Sequence, residues 1–409
     1  MRILLVSTAW PWPTRKGYQL RLLQLANGLA RWHEVTLLVP AGAGEAGAAE
    51  SSAFAIETFR RSRFAALPGV GAAFLGGRSL ESGLVASADL RRRLRELAPR
   101  FDRVVLQLVR LAGVTEPLAG TPWVLDLVDS LSLNLERRAA LDRFWMRPLL
   151  RFEARRLAAD ERRMIAASSV ALLVSERDRR HLAAALPAHL AARLEVVPLA
   201  LPTWGESARP GAPGCSSPAA TARVRPQPPP GECAFAITGN LGYFPTVRGI
   251  VWFLDQVWPE VARRYPRARL LVAGARPPRA LARRVRRLGG RLVADPADLS
   301  ALLANSDVAL APLFAGSGTP IKLLEALAAG IPAVATAAAA EGLDPALARC
   351  VAIPEDAASW VTTLHGLIAN PVAARARAAI GAQLVRELHD PERIARALSD
   401  LLERPQPAD

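Results

Sequence analysis

Residues 203–231 break the pattern of everything around them. They include Pro210-Gly-Ala-Pro-Gly and Gln227-Pro-Pro-Pro-Gly231, a composition that reads as a flexible or polyproline linker. On the N-terminal side, residues 3–8, Val35–Val39, 103–108 and 123–128 are short apolar runs suited to buried parallel strands. Between the first two lies a segment of helical period with Leu22, Leu25, Ala26 and Leu29 on one face. Residues 147–183 read as charged helix with a strand at Val170–Val174. Beyond the linker, strands are expected near 233–238, 268–273, 290–294, 307–313 and 332–336. Helices are expected near 247–264, 278–287, 298–304, 320–329 and 391–404. Alternation of this kind builds α/β domains with parallel sheets.

A chain of 409 residues accommodates two such domains. The expected division is 1–202, the 203–231 linker, 232–388, and a C-terminal helix within 389–409 that crosses back to the first domain. Two open α/β sheets place their ligands beyond the carboxyl ends of the strands, in a central cleft if the sheets face one another.

Charge narrows the partners less than it first suggests. The net charge is +15, and nearly all of it is arginine, with lysine only at Lys16 and Lys322. A basic balance is compatible with nucleic acid, anionic lipid or a phosphorylated substrate. The Ala- and Arg-rich composition also fits a general bias. Arg91-Arg-Arg-Leu-Arg95 and Arg283–Arg287 read as solvated helix faces; they lack the interleaved aromatics of a single-strand binder, so no nucleic acid is expected. Cys215, Cys233 and Cys350 are far apart and odd in number, which argues against a disulfide framework and a zinc site and fits a cytoplasmic protein. The opening run could pass for a signal h-region, but Arg15 and Lys16 follow too soon. No stretch of 18 uncharged apolar residues is found, so no membrane-spanning helix is expected.

The segment richest in chemistry is Gly316-Ser-Gly-Thr-Pro-Ile-Lys-Leu-Leu-Glu-Ala-Leu-Ala-Ala-Gly-Ile-Pro332, which follows the apolar run Val308–Leu313. Ser317 and Gly318 allow a close turn. Thr319 is placed as N-cap and Pro320 as first helical residue. Gly330 ends the helix and Pro332 bars its continuation. The helix N-terminus offers free N–H groups and the positive end of the dipole to an anion. Lys322 adds a full charge in that first turn. Glu325, one turn on and on the same face, can accept from two vicinal hydroxyls. Diphosphate followed by ribose is the order a nucleotide presents. An ordinary amphipathic helix with a solvated Lys–Glu pair is the plain alternative.

This segment, with Glu341-Gly342-Leu343 after it, resembles the donor-site motif of family 4 retaining glycosyltransferases. Gly239-Asn-Leu-Gly-Tyr-Phe-Pro245, Trp252-Phe and Val257-Trp-Pro259 are similar to a block of the sugar transferases found in bacterial exopolysaccharide clusters. So are Asp129-Ser-Leu-Ser, Glu153-Ala-Arg-Arg-Leu and Val174-Ser-Glu176. The resemblance covers the chain outside the linker. It implies a GT-B fold, with two Rossmann-like α/β domains, and a nucleoside-diphosphate sugar held by the C-terminal one. UDP-sugar is favoured over GDP-sugar, with no separate cofactor. Glu325 matches the second glutamate of the family's E-x7-E pattern and so the ribose contact. The first falls on Ser317, a departure that leaves sugar recognition open. The Arg and Lys that often grip the diphosphate in that family are absent; Asn240 and Thr246 stand near where they would fall, and Lys322 with Arg248 can supply the charge instead.

Other candidates follow from the same frame. Gly239 and Gly242 permit close backbone approach; a tight strand–helix turn would explain them as well. Ala294, in the loop running to Asp298, resembles the family's nucleobase contact, and Asp298 also suits an N-cap. Lys16 and Gly17 resemble a loop that closes over donor phosphate and acceptor, with a surface lysine as the plain alternative; Arg21 is a weaker candidate. Asp126 and Asp129 are drawn as facing the cleft in a D-x-x-D spacing, which is not a D-x-D metal motif. Asp129 is a candidate to position an acceptor hydroxyl, or to cap the next helix. The expected activity is hexosyl transfer with retention, independent of metal, to a glycan, lipid-linked or small-molecule acceptor, in exopolysaccharide or cell-envelope synthesis. The Arg-rich stretches 147–163 and 276–287 could rest on anionic membrane. A GT-B nucleotide-sugar epimerase and a non-catalytic basic membrane- or nucleic-acid-binding protein are the rival readings.

Overall fold

The computed structural model describes residues 1–14, 16–42, 52–60, 66–118, 120–201, 232–296 and 299–404. The expected linker and Asp298 lie outside the described residues. The chain forms two compact units, one of Met1–Ala200 with Pro391–Asp409, the other of Leu201–Asp390.

Unit 1 holds a seven-stranded sheet in the order β3-β2-β1-β4-β5-β6-β7. The strands are β1 Arg2–Val6, β2 Glu34–Pro40, β3 Ala55–Phe59, β4 Arg103–Gln107, β5 Trp123–Val128, β6 Ala171–Leu173 and β7 Leu194–Val196. Every pairing is parallel. Parallel sheets bury both faces, and the alternation along β1 sorts its side chains accordingly. Leu4 and Val6 join one core cluster, and Ile3 and Leu5 join the other. The Gly17–Leu29 helix covers the second face with Leu22, Leu25, Ala26 and Leu29, all buried. The Pro391–Glu403 helix packs beside it through Ile394, Leu398 and Leu402.

Unit 2 repeats the plan with six parallel strands in the order β10-β9-β8-β11-β12-β13. They are β8 Ala234–Asn240, β9 Arg269–Ala275, β10 Arg291–Ala294, β11 Val308–Ala311, β12 Ala333–Ala335 and β13 Val351–Ala352. Its core centres on Phe235, Phe253 and Trp360. The Trp360 ring meets Trp252 and Phe253 edge-on at 5.7 and 5.9 Å, a favoured aromatic geometry.

In each unit the strand order reverses once, between β1 and β4 and between β8 and β11. These are the switch points where such sheets take ligands.

Candidate functional site

The switch point of unit 2 is a fork. β8 and β11 pair only at Phe235–Val308 and Ala236–Ala309, while β8 runs on to Asn240. Beyond Ala309 the two strands have no common ladder, and their ends diverge. The loop after β8 and the turn after β11 border the gap.

The β8 loop is closed by its own side chain. Asn240 Oδ1 accepts from the Gly242 amide at 3.1 Å, and Asn240 O accepts from Tyr243 N at 3.1 Å. The Phe244–Gln256 helix then begins. Arg248 is exposed in its second turn. Gly239 has φ 141°, a value that favours glycine. A Cβ there would lie 2.9 Å from Lys322 Nζ, so the ammonium rests against bare backbone at the end of β8.

Lys322 comes from the Ile321–Ala328 helix. Its start corrects the expected cap: Pro320 and not Thr319 is the N-cap, and no side chain caps the turn. Leu323 N and Leu324 N reach Pro320 O. The amides of Ile321 and Lys322 have no acceptor inside the helix, and Ser317, Gly318 and Thr319 lead into this end. The turn is clamped from behind, because a Cβ on Gly342 would lie 2.1 Å from Gly318 O. At the other end Gly330, at φ 66°, closes a Schellman motif, with Gly330 N to Leu327 O and Ile331 N to Ala326 O.

Lys322 and Glu325 keep some exposure but are enclosed by protein on most sides. Neither side chain forms a hydrogen bond or salt bridge among the described residues. Burial lowers the lysine to about 8 against the pull of Glu325. Burial raises the glutamate to about 7 against the pull of Lys322. A cation and a carboxylate one turn apart, both poorly solvated, can between them meet an anion and hydroxyl groups.

Ala294 ends the edge strand β10 and is exposed. It stands two strand spacings from β8, about 10 Å. Sequence reasoning passed over Arg276, whose Cβ and carbonyl lie 3.3 Å from the position a Cβ on Gly242 would take. Its backbone is left-handed at φ 53°, and its amide donates to Asp295 Oδ1 at 3.3 Å. Its place directly after β9 and before Pro277-Pro278 was the available signal.

The unit 1 candidates are less of a group. Lys16 is the exposed N-cap of the helix that Gly17 opens, and its Nζ donates to Tyr18 OH at 3.2 Å. Asp126 and Arg21 are wholly buried, with Arg21 Nε 3.5 Å from Asp126 Oδ1. Arg21 Nη1 donates to Pro198 O at 2.8 Å. The expectation that Asp126 faces a cleft is therefore corrected; it sits in a core, where burial raises its carboxyl against the pull of Arg21. Asp129 is partly buried just past β5. It does not cap the next helix: Ser130 does, accepting from Leu133 N at 3.3 Å. The displacement comes from Val128, whose φ of 66° turns the chain so that Asp129 N meets Leu127 O.

That cap is itself gripped by Glu161, buried on the Arg147–Ala167 helix. It accepts from Ser132 N at 3.1 Å and from the Ser130 and Ser132 hydroxyls. Burial raises Glu161 to about 7.

With both sheets and the fork of unit 2 described, comparison with solved structures decides the architecture. Sucrose-phosphate synthase from Thermosynechococcus elongatus superposes with a TM-score of 0.69 at 16% identity, covering 98% of each chain. The fold is that of the GT-B glycosyltransferases. WaaG, a glycosyltransferase involved in lipopolysaccharide biosynthesis, matches at TM-score 0.66 and 18% identity over 99% of this chain and 100% of its own. Anabaena Alr3699/HepE, solved with UDP-glucose, matches at 0.67 and 15% over 98% and 99%. In sequence, residues 233–370 match the family model described as glycosyl transferases group 1. That span holds the fork, the Lys322 helix and Gly342 of this GT-B chain. No curated protein matches in sequence.

Proposed function

We propose that this GT-B chain transfers a sugar from a nucleoside-diphosphate sugar to an acceptor hydroxyl. The observation that carries the reading is the Lys322–Glu325 helix at the fork of unit 2, within a segment that matches glycosyl transferases group 1. The diphosphate lies on the amides of Ile321 and Lys322 beneath the Lys322 ammonium, and Glu325 accepts from the ribose hydroxyls. Gly239, Asn240 and Gly242 form the facing wall, with Arg248 one turn up the next helix. Ser317, Gly318 and Thr319 border the donor sugar, and Ala294 lies at a distance from β8 suited to the base. UDP is the favoured nucleotide; a fold neighbour was solved with UDP-glucose.

In the step itself, the bond between the anomeric carbon and the diphosphate oxygen breaks as the acceptor oxygen bonds to the same carbon. The hydroxyl proton passes to the departing phosphate, on the same face, so configuration is retained. Lys322 and the helix end neutralise the leaving charge by preorganised electrostatics, without a divalent ion. Lys16 and Asp129 are assigned to the acceptor side. The resemblance to family 4 supports retention and an acceptor that is a glycan or a lipid-linked sugar of exopolysaccharide or cell-envelope synthesis. The buried thiols of Cys233 and Cys350 fit a reducing cytoplasm.

The test is thermal shift with a panel of nucleoside diphosphates and their sugars, on wild type and Glu325→Ala. A ligand of the folded state stabilises it by about 2.7 kcal/mol at a hundred times Kd. The expected result is one preferred diphosphate whose shift the variant loses. If no nucleotide at millimolar concentration shifts the wild type, the donor site is wrong. Turnover of donor with no acceptor present would indicate epimerisation, an inverted product would remove the front-face step, and loss of rate in chelator would remove the metal-free one.

A further inference from the structure

Six large apolar side chains of unit 1 point into solvent from one neighbourhood. Phe144 and Trp145 lie in the turn before the Arg147–Ala167 helix, at 80% and 56% exposure, and Leu149 and Phe152 continue along its outer face. Phe74 and Leu75, the latter 87% exposed, end the Ala66–Leu75 helix. The two groups meet: the Phe74 and Phe152 rings are 6.1 Å apart, and Arg156 lies over both at 4.5 and 4.4 Å. Scattered exposed apolar residues need no explanation, but a contiguous set of this size marks an interaction surface.

Arginines border it. Arg143, Arg147, Arg151, Arg155 and Arg156 fall within the same stretch, and none forms a salt bridge among the described residues. Arg143 stacks over Trp145 at 5.9 Å. The sole acid of the stretch, Glu153, is buried and accepts from Glu81 N at 3.1 Å, so it does not offset the charge at the surface. The Arg279–Arg287 helix makes the contrast. It is as rich in arginine, yet its apolar residues Leu281 and Val285 are buried, leaving an ordinary solvated face.

We propose that the face of Phe74, Leu75, Phe144, Trp145, Leu149 and Phe152 seats this protein on a bilayer containing anionic lipid. Aromatic rings of this kind settle at the depth of the headgroups, and the surrounding guanidinium groups meet lipid phosphates. A second copy of the chain is a poorer occupant, because a two-fold contact through this face would set its five arginines against the same five. The inference is independent of the donor site.

The experiment is sedimentation of the full chain with vesicles, without nucleotide. Phosphatidylcholine vesicles are compared with the same lipid carrying about 30% phosphatidylglycerol. The wild type is expected to pellet with the anionic vesicles at least about tenfold better, and to lose the preference in high salt. Trp145→Ser with Phe152→Ser, and separately Arg147→Gln with Arg151→Gln, should each lower binding about tenfold or more. Both double variants should still unfold cooperatively, with midpoints within about 5 °C of wild type, since Phe152 gives up its contacts with Phe74 and Arg156 and Arg147 its bond to Asp142 O. Equal pelleting by both vesicle types overturns the proposal, as do double variants that bind like wild type. A reversible dimer in ultracentrifugation that Trp145→Ser dissolves assigns the face to self-association and also overturns it.

Discussion

Lys322 and Glu325 are pushed in opposite directions by the same enclosure, and that has a pH signature. A diphosphate needs the lysine charged, so affinity falls as pH rises through about 8. Ribose hydroxyls need a carboxylate, so affinity falls as pH drops through about 7. Nucleotide affinity is therefore expected to peak between these values in titration calorimetry. Glu325→Gln should remove the acid limb. Lys322→Arg, charged throughout, should remove the alkaline one. Glu161 gives a second readout, in stability. Its folded value of about 7 lies above the ordinary 4.5, so the stability it contributes is full below about 4.5 and lost as pH rises through 7. Glu161→Gln should escape that loss, gaining on wild type by on the order of 2 kcal/mol between pH 5 and 8.5 in denaturant titrations. The Lys322 helix was legible as a strand–turn–helix because lysine is so scarce and the segment so well punctuated. Asp126 was not: every residue of β5 is buried, and in a strand covered on both faces alternation carries no sign of which side holds ligand. Nor was the cap at Ser130, since the left-handed turn at Val128 that moves it leaves no trace in a valine.

Among elements, the turn before the Lys322 helix depends on contacts made far along the chain. Gly342→Ala would drive a methyl into Gly318 O, 2.1 Å away. It is expected to displace the turn and weaken nucleotide binding about tenfold or more, at about 1–3 kcal/mol in stability. Trp360→Ala strips the edge-on ring cluster from the core of unit 2 and should cost about 3–5 kcal/mol by chemical denaturation. The strands with strong apolar runs were placed within a few residues. Those left out of the sequence reading were β3, β7 and β13. β3 carries Glu57 and Thr58 on a sheet edge, and the other two are three and two residues long. Edge strands bury less and need less apolar sequence, so their signal is weak for a physical reason.

For the molecule as a whole, the alternation of strands and helices on either side of 203–231 was enough to give two α/β units, and the family resemblance gave the GT-B fold. The arginine excess was not enough to give a partner. The proposed partner rests on the apolar cluster exposed beside the arginines around Trp145, a feature that Arg279–Arg287 lacks. The Pro391–Glu403 helix belongs to the core of unit 1: Gly28 leaves room for Ala395, His33 meets Ser399 at 2.7 Å, and Leu398 and Leu402 are buried. Leu398→Ala should therefore lower the stability of unit 1 by about 2–5 kcal/mol and leave nucleotide binding in unit 2 intact.

The same helix governs the order of events on the ribosome. Unit 1 is the first to emerge, but a wall of its core is encoded beyond all of unit 2. Until that wall arrives, the flank of the Gly17–Leu29 helix around Gly28, which Ala395 covers in the finished fold, stays open to water and to other nascent chains. Synthesis that pauses anywhere in unit 2 therefore presents the cell with an unfinished first unit, a natural client for chaperones that hold apolar surface until the last wall is in place.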